Sequence, residues 1–204
     1  MLFLYLDKMA KIEEVKIITL GNSSVGKTSF IIKYIDNKFI EFHLTTLGVD
    51  FKQKKIKLKN GKDVHLRIFD TAGQERFKSV SASFIKKVDG VILVYDISNL
   101  GSFESINNWI KNIKDIGKEK LPVILVGNKC DLPPDKRKVS LEDGEKKANE
   151  FNIPFYETSC LNGINIKEVF ETLIENIING GRRYTIGDFK IAKESKKKQN
   201  CCWT

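Results

Sequence analysis

Val15-Lys16-Ile17-Ile18-Thr19-Leu20-Gly21-Asn22-Ser23-Ser24-Val25-Gly26-Lys27-Thr28-Ser29-Phe30-Ile31 is the stretch on which the fold turns. Its first six residues are a mainly apolar run rich in β-branched side chains, which reads as a short strand. A glycine and serine loop follows, and then Phe30, Ile31, Tyr34 and Ile35 recur at helical spacing. The order is therefore strand, loop, helix. The loop from Gly21 to Thr28 fits the pattern G-x-x-x-x-G-K-[ST], in the context the pattern requires. Small residues let such a backbone wrap a phosphate: the N–H groups and the positive helix end face the anion. Lys27 reaches the β and γ phosphates, and the Thr28 hydroxyl is a Mg²⁺ ligand. A nucleoside triphosphate with magnesium is the expected occupant. The loop alone does not choose among kinases, ATPases and GTPases.

Phe51 to Asp70 holds two alternating stretches separated by Asn60-Gly61, which predicts a tight antiparallel hairpin. Val91–Tyr95, Val123–Val126 and Ile153–Tyr156 are further short apolar runs. Helical periodicity covers Phe103–Ile116, Leu141–Phe151 and Ile166–Ile178. Strand and helix alternate throughout. This predicts an α/β fold: a six-stranded, mostly parallel sheet with one antiparallel edge strand, helices on both faces, and ligands at the carboxyl ends of the strands. No internal repeat or second domain is visible.

The 204 residues, 41% hydrophobic and 30% charged, suit one globular domain and exclude fibrous and disordered classes. Three segments are expected: an N-terminal extension over 1–10, the domain over 11–180, and a flexible basic tail over 181–204. The apolar start Met1–Leu6 is too short to span a bilayer, and Met9 is a second candidate start. The net charge is +9, and the tail contributes seven basic residues against Asp188 and Glu194. Cys130, Cys160, Cys201 and Cys202 show no metal-ligand spacing, so a reducing compartment is expected.

Asn128-Lys129-Cys130-Asp131 follows a predicted strand and so falls at the ligand edge of the sheet. A carboxylate such as Asp131 accepts from both N1–H and the exocyclic amine of guanine, whereas adenine presents an unprotonated N1 there. Guanine is therefore the expected base, with Asp131 as the specificity residue.

Together these residues resemble the Rab branch of the Ras-like small GTPases, over about Lys11 to Asn179. Thr45-Thr46-Leu47-Gly48-Val49-Asp50-Phe51 looks like the Rab first switch. Asp70-Thr71-Ala72-Gly73-Gln74-Glu75-Arg76-Phe77 looks like the second, Leu93–Asn99 is similar to a further Rab stretch, and Glu157-Thr158-Ser159 to the remaining guanine loop. The resemblance implies the P-loop GTPase fold and a switch that cycles between GTP-bound active and GDP-bound inactive forms. It implies that Gly21, Asn22, Ser23, Ser24, Val25, Gly26, Lys27, Thr28 and Ser29 hold phosphates, with Thr46 and Gly73 closing over the γ phosphate. Thr28, Thr46 and Asp70 would serve Mg²⁺, and Asn128, Lys129, Asp131, Ser159, Cys160 and Leu161 the base. Gln74 would orient the attacking water, making Lys27, Gly73 and Gln74 the catalytic set.

No arginine occupies a recognisable finger position, so slow intrinsic hydrolysis and a stimulating GTPase-activating protein are implied. An exchange factor, a GDP-dissociation inhibitor, an escort protein and trafficking effectors complete the implied partners of a monomer. Departures from the family pattern are Ser23, Cys160-Leu161, Phe69 in place of tryptophan, and Ser83-Phe84-Ile85-Lys86-Lys87. Ser23 leaves the hydrolysis rate open, and Leu161 is expected only to pack. Phe51, Phe69 and Phe84 preserve an aromatic trio that effectors read in the family, with ordinary packing an equal alternative.

The chain ends Cys201-Cys202-Trp203-Thr204 behind Lys196-Lys197-Lys198, which resembles a Rab double geranylgeranylation site. Single prenylation or palmitoylation stays open. Two lipids would anchor the protein stably on the cytoplasmic face of an intracellular membrane, with a cytosolic pool. Vesicle-traffic regulation is the leading function. A phosphotransfer enzyme and a nucleotide-locked scaffold are the alternatives; a nucleic-acid module lacks a stacking surface or groove-reading motif.

Overall fold

The computed structural model describes residues 13–39, 49–58, 61–71, 83–116 and 121–178. In chain order its elements are β1 (Glu13–Leu20), α1 (Lys27–Asp36), β2 (Val49–Lys57), β3 (Asp63–Thr71), β4 (Gly90–Asp96), α2 (Leu100–Glu104), α3 (Ile106–Asp115), β5 (Val123–Asn128), a 3₁₀ turn (Pro134–Lys136), α4 (Leu141–Phe151), β6 (Phe155–Thr158) and α5 (Ile166–Ile178). The strands form one sheet in the order β2-β3-β1-β4-β5-β6. β2 runs antiparallel to β3, and every other neighbouring pair is parallel. This is the expected architecture.

Strand alternation sends side chains to two apolar layers. Ile18, Leu20, Val91, Leu93, Tyr95, Val123 and Leu125 pack with Ile106, Trp109, Ile110 and Ile113 of α3 and Ala148 of α4. Val15, Ile17, Ile92, Val94, Ile124 and Val126 pack with Phe30 and Ile31 of α1 and Val169, Phe170, Leu173 and Ile174 of α5. Every residue of β4 and β5 is buried, which is why their sequences read as unbroken apolar runs. The carboxyl ends of β1, β3, β4 and β5 therefore point one way. They form one pole of the domain, where the chain from β1 goes to one side of that strand, to β2 and β3, and the chain from β3 returns to the other, to β4.

Two expectations change in detail. The hairpin is present, but its last strand pair is Lys57 with Asp63, and Leu58 N–H donates to the Lys62 carbonyl beyond it. Gly61, at φ 82°, supplies the left-handed residue of a longer loop; a two-residue turn at Asn60-Gly61 would place the pairing closer. The helix expected over Phe103–Ile116 begins at Leu100 and is interrupted at Ser105. Asn99 caps its start by accepting from Ser102 N–H, and Ser105 Oγ donates back to the Gly101 carbonyl, the bond that bends helices.

Candidate nucleotide-binding site

The loop between β1 and α1 is shaped by positions no ordinary side chain fits. Gly21 has φ 139°, and a Cβ there would lie 2.1 Å from the Val94 carbonyl oxygen of β4. Gly26, at φ 97°, would carry a Cβ 2.4 Å from Asn128 Nδ2. Ser24 is left-handed as well, Val25 is buried, and Ser23 is exposed. The loop thus closes on itself at the start of α1, with its N–H groups available to an anion.

Lys27 is only 5% exposed. Its Nζ donates to the carbonyls of Gly21 at 3.0 Å and Asn22 at 2.7 Å, which holds the ammonium under the loop. Burial pulls its pKa down to about 8, partly opposed by the carboxylate of Asp70. Thr28 Oγ1 donates to Asp70 Oδ2 at 2.6 Å, so the end of β3 and the first turn of α1 bring a hydroxyl and a carboxylate together. Hard oxygen donors in that combination suit Mg²⁺.

Asn128 joins the site's separate parts. Its Nδ2 donates to the Val25 carbonyl at 2.9 Å, while Oδ1 accepts from Thr158 Oγ1 at 3.1 Å and from the Cys160 thiol at 3.4 Å. Burial raises the Cys160 pKa to about 12, which keeps the thiol protonated and able to donate. Lys129 is left-handed at φ 69° and reaches Asp96 Oδ2 at 2.6 Å and the Ser24 carbonyl at 3.1 Å. Cys130 N–H donates to the Thr158 carbonyl, which fixes the backbone next to the half-buried Asp131. Ser159 is buried and closes the last loop through its pairing with Ile164.

Leu161 is 52% exposed, so it packs less than expected. Phe51, Phe69 and Phe84 come together, with ring centroids 6.5 and 5.5 Å apart; Phe51 projects outward, while Phe69 and Phe84 lean on the core. Thr46, Gly73, Gln74, Cys201 and Cys202 lie outside the described residues, as do the whole of the extension and tail assignments.

Sequence reasoning missed two supports. Asp96 accepts from Lys129 and from the N–H and Oγ of Ser98, and its place at the end of β4 was the available signal. The second is α3 with Ser105 just before it: Asn22 Nδ2 donates to Ser105 Oγ at 2.9 Å, and Asn22 Oδ1 accepts from Trp109 Nε1 at 3.1 Å. Partners 83 and 87 residues apart leave no periodic trace in a sequence. Trp109→Phe keeps an aromatic side chain and removes this donor, so bound nucleotide should dissociate roughly threefold to tenfold faster, the effect of one ordinary hydrogen bond. Release of a fluorescent nucleotide measures it, and an unchanged rate would make the contact incidental.

The geometry defines an α/β nucleotide-binding domain with its phosphate loop at the carboxyl pole. Comparison narrows the class. The Ras family model matches residues 16–179. The chain is 40% identical to Ras-related protein Rab-13 of Rattus norvegicus, over 92% of this chain and 94% of the relative. It is 44% identical to Ras-related protein Rab-3 of Caenorhabditis elegans, over 79% and 73% of the two chains, and 40% identical to GTP-binding protein yptV2 of Volvox carteri, over 80% and 75%. The chain belongs to the Ras family, within its Rab small GTPases. It is a GTP hydrolase and a regulator of membrane traffic, and recruiting effectors is the general role of its kind. Its family binds GTP and GDP, typically with Mg²⁺, and is governed by exchange factors, GTPase-activating proteins, GDP-dissociation inhibitor and effectors.

Proposed function

We propose that Gly21–Ser29 cradles the phosphates of GTP, that Lys27 neutralises the β and γ phosphates, and that Asn128, Lys129 and Asp131 hold guanine, with Ser159, Cys160 and Leu161 flanking it. The observation that carries this is the bond from Asn128 to the Val25 carbonyl, which ties the base motif to the phosphate loop as one pocket. Asn128 and Lys129 act mainly by holding loops, since their side chains are engaged with protein atoms. Asp131 makes the base contact.

Mg²⁺ would be held by Thr28, Thr46 and Asp70, and when bound it supplies charge neutralisation between the β and γ phosphates. Gln74 orients the attacking water, and Gly73 offers its N–H to the γ phosphate. The water oxygen bonds to the γ phosphorus, the bond to the bridging oxygen breaks, and GDP and phosphate result. An activating partner supplies a further cation to the transition state. Thr46 and Gly73 release their loops once the γ phosphate is gone, which is the switch. Phe51, Phe69 and Phe84 are the surface effectors read in the loaded form.

The domain spans 11–180, with Cys201 and Cys202 in the segment after it carrying geranylgeranyl groups. The protein then works as a monomer on the cytoplasmic face of an intracellular membrane, with a cytosolic pool. No described helix is long and apolar enough to cross a bilayer.

Competition between GTP and ATP for the purified chain in magnesium buffer tests the pocket. GTP should win by roughly 10⁴-fold or more. The affinity itself carries a pH signature. Lys27, with its pKa depressed to about 8, must take up a proton to meet the phosphates above that pH. Affinity should therefore fall as pH rises past about 8, by up to about tenfold per unit. Equal binding of ATP would refute the base assignment, and a flat profile would refute the role of Lys27.

A further inference from the structure

Outside the tail, the remaining positive excess of the chain is concentrated in one place. Residues 50–63 hold Lys52, Lys54, Lys55, Lys57, Lys59 and Lys62 against Asp50 and Asp63, a surplus equal to that of the whole chain before residue 181. Six of these eight residues lie on β2, the edge strand of the sheet, or at the start of β3. Lysine on an exposed edge also deters strand pairing, which accounts for one or two of them. It does not account for what stands beside them.

The hairpin joins the amino end of β3 and therefore sits at the pole opposite the nucleotide loops. α5 starts just after the Ser159–Ile164 bridge, at the nucleotide pole, and ends at the other. Lys57 and Leu58 share a groove with Ile174 and Glu175 of its last turns, so the chain departs toward residues 179–204 within reach of the hairpin. Lys33 of α1 and Lys167 of α5 line the same groove, over the apolar Tyr34, Ile56, Ile166 and Ile174; Glu171 and Glu175 are its carboxylates. The lysine hairpin and the last described turn of α5, far apart in sequence, meet at one pole.

We propose that the β2–β3 hairpin and the adjoining groove rim form a second membrane contact, docking the domain on a leaflet with anionic lipid headgroups. The chemistry favours a leaflet over a phosphopeptide or a nucleic acid. The patch is all lysine: point charges spread along an edge, with none of the arginine forks that read a discrete phosphate group. Lys55 and Lys57 are exposed, and no ion pair among the described residues engages Lys52, Lys55 or Lys57. Lys54 differs, because its Nζ donates to the Tyr34 and Ile35 carbonyls at the end of α1. With this pole on the membrane, the nucleotide loops and the aromatic trio face away from it.

The test uses the full, unlipidated chain, so it does not depend on the fate of Cys201 and Cys202. Co-sedimentation with vesicles of phosphatidylcholine alone, or with added phosphatidylserine, compares the parent with Lys52→Gln/Lys55→Gln/Lys57→Gln and with Lys196→Gln/Lys197→Gln/Lys198→Gln. Each triple variant should lose between about tenfold and a hundredfold of its partitioning onto the anionic vesicles. Nucleotide release should be unchanged in the hairpin variant, which separates this proposal from the assignment of the pocket. A hairpin variant that partitions like the parent overturns it and leaves the patch to an acidic protein partner. Equal losses on neutral vesicles overturn it as well.

Discussion

Asp131→Asn is expected to weaken GTP and GDP binding by roughly 10²- to 10⁴-fold while improving the binding of xanthine nucleotides. Donors and acceptors on the two partners decide the effect. The carboxylate accepts twice, from N1–H and from the exocyclic amine; an amide accepts once and turns its NH₂ toward the other position. Against guanine that leaves two donors opposed in a half-enclosed site. Xanthine, with a carbonyl in place of the amine, matches the amide instead. The backbone beside Asp131 is fixed by the Cys130 N–H to the Thr158 carbonyl, so the side chain cannot move away freely. Competition binding with both nucleotides measures the reversal, and an unaltered preference for guanine would remove Asp131 from base recognition.

Gln74→Leu should leave nucleotide affinity near its parent value and lower hydrolysis in the presence of an activating partner by roughly 10³-fold or more. Leucine keeps approximate bulk and loses the amide that aligns water, so the defect belongs to the chemical step. Single-turnover phosphate release, with and without the activating protein, reads it directly. The contrast with Lys27 is useful. Removing Lys27 should cost binding first, because its ammonium sits beneath the phosphate loop before any reaction begins. A Gln74 variant that hydrolyses at the parent rate under both conditions would exclude the residue from catalysis.

Much of the fold was legible because its strands are either buried on both faces or alternate cleanly. β4 and β5 read as apolar runs, and the second layer of the hairpin reads as a period of two. The helix start at Leu100 was not legible. Leu-Gly-Ser-Phe has weak helix propensity, and the stop and start depend on Asn99 and on the Ser105 bond to Gly101. At the site, the glycines and Lys27 announced themselves through spacing, and Asp131 through its carboxylate. What Asn128 does was hidden, since the sequence cannot tell whether an amide faces a ligand or the protein. The convergence of the lysine hairpin with the end of α5 was hidden for the same reason: it belongs to topology, and no local pattern carries it.

The bond from Asn128 to the Val25 carbonyl has an implication for how freely the two motifs could be exchanged among proteins. With Gly26 pressed against the same amide, neither string can be rewritten alone. A larger residue at 26 would evict the asparagine. A nonpolar one at 128 would strand a buried carbonyl, at about 1–3 kcal/mol. Part of the spelling of each signature is thus masonry: letters kept so that two distant passages of the chain fit face to face, whatever they grip.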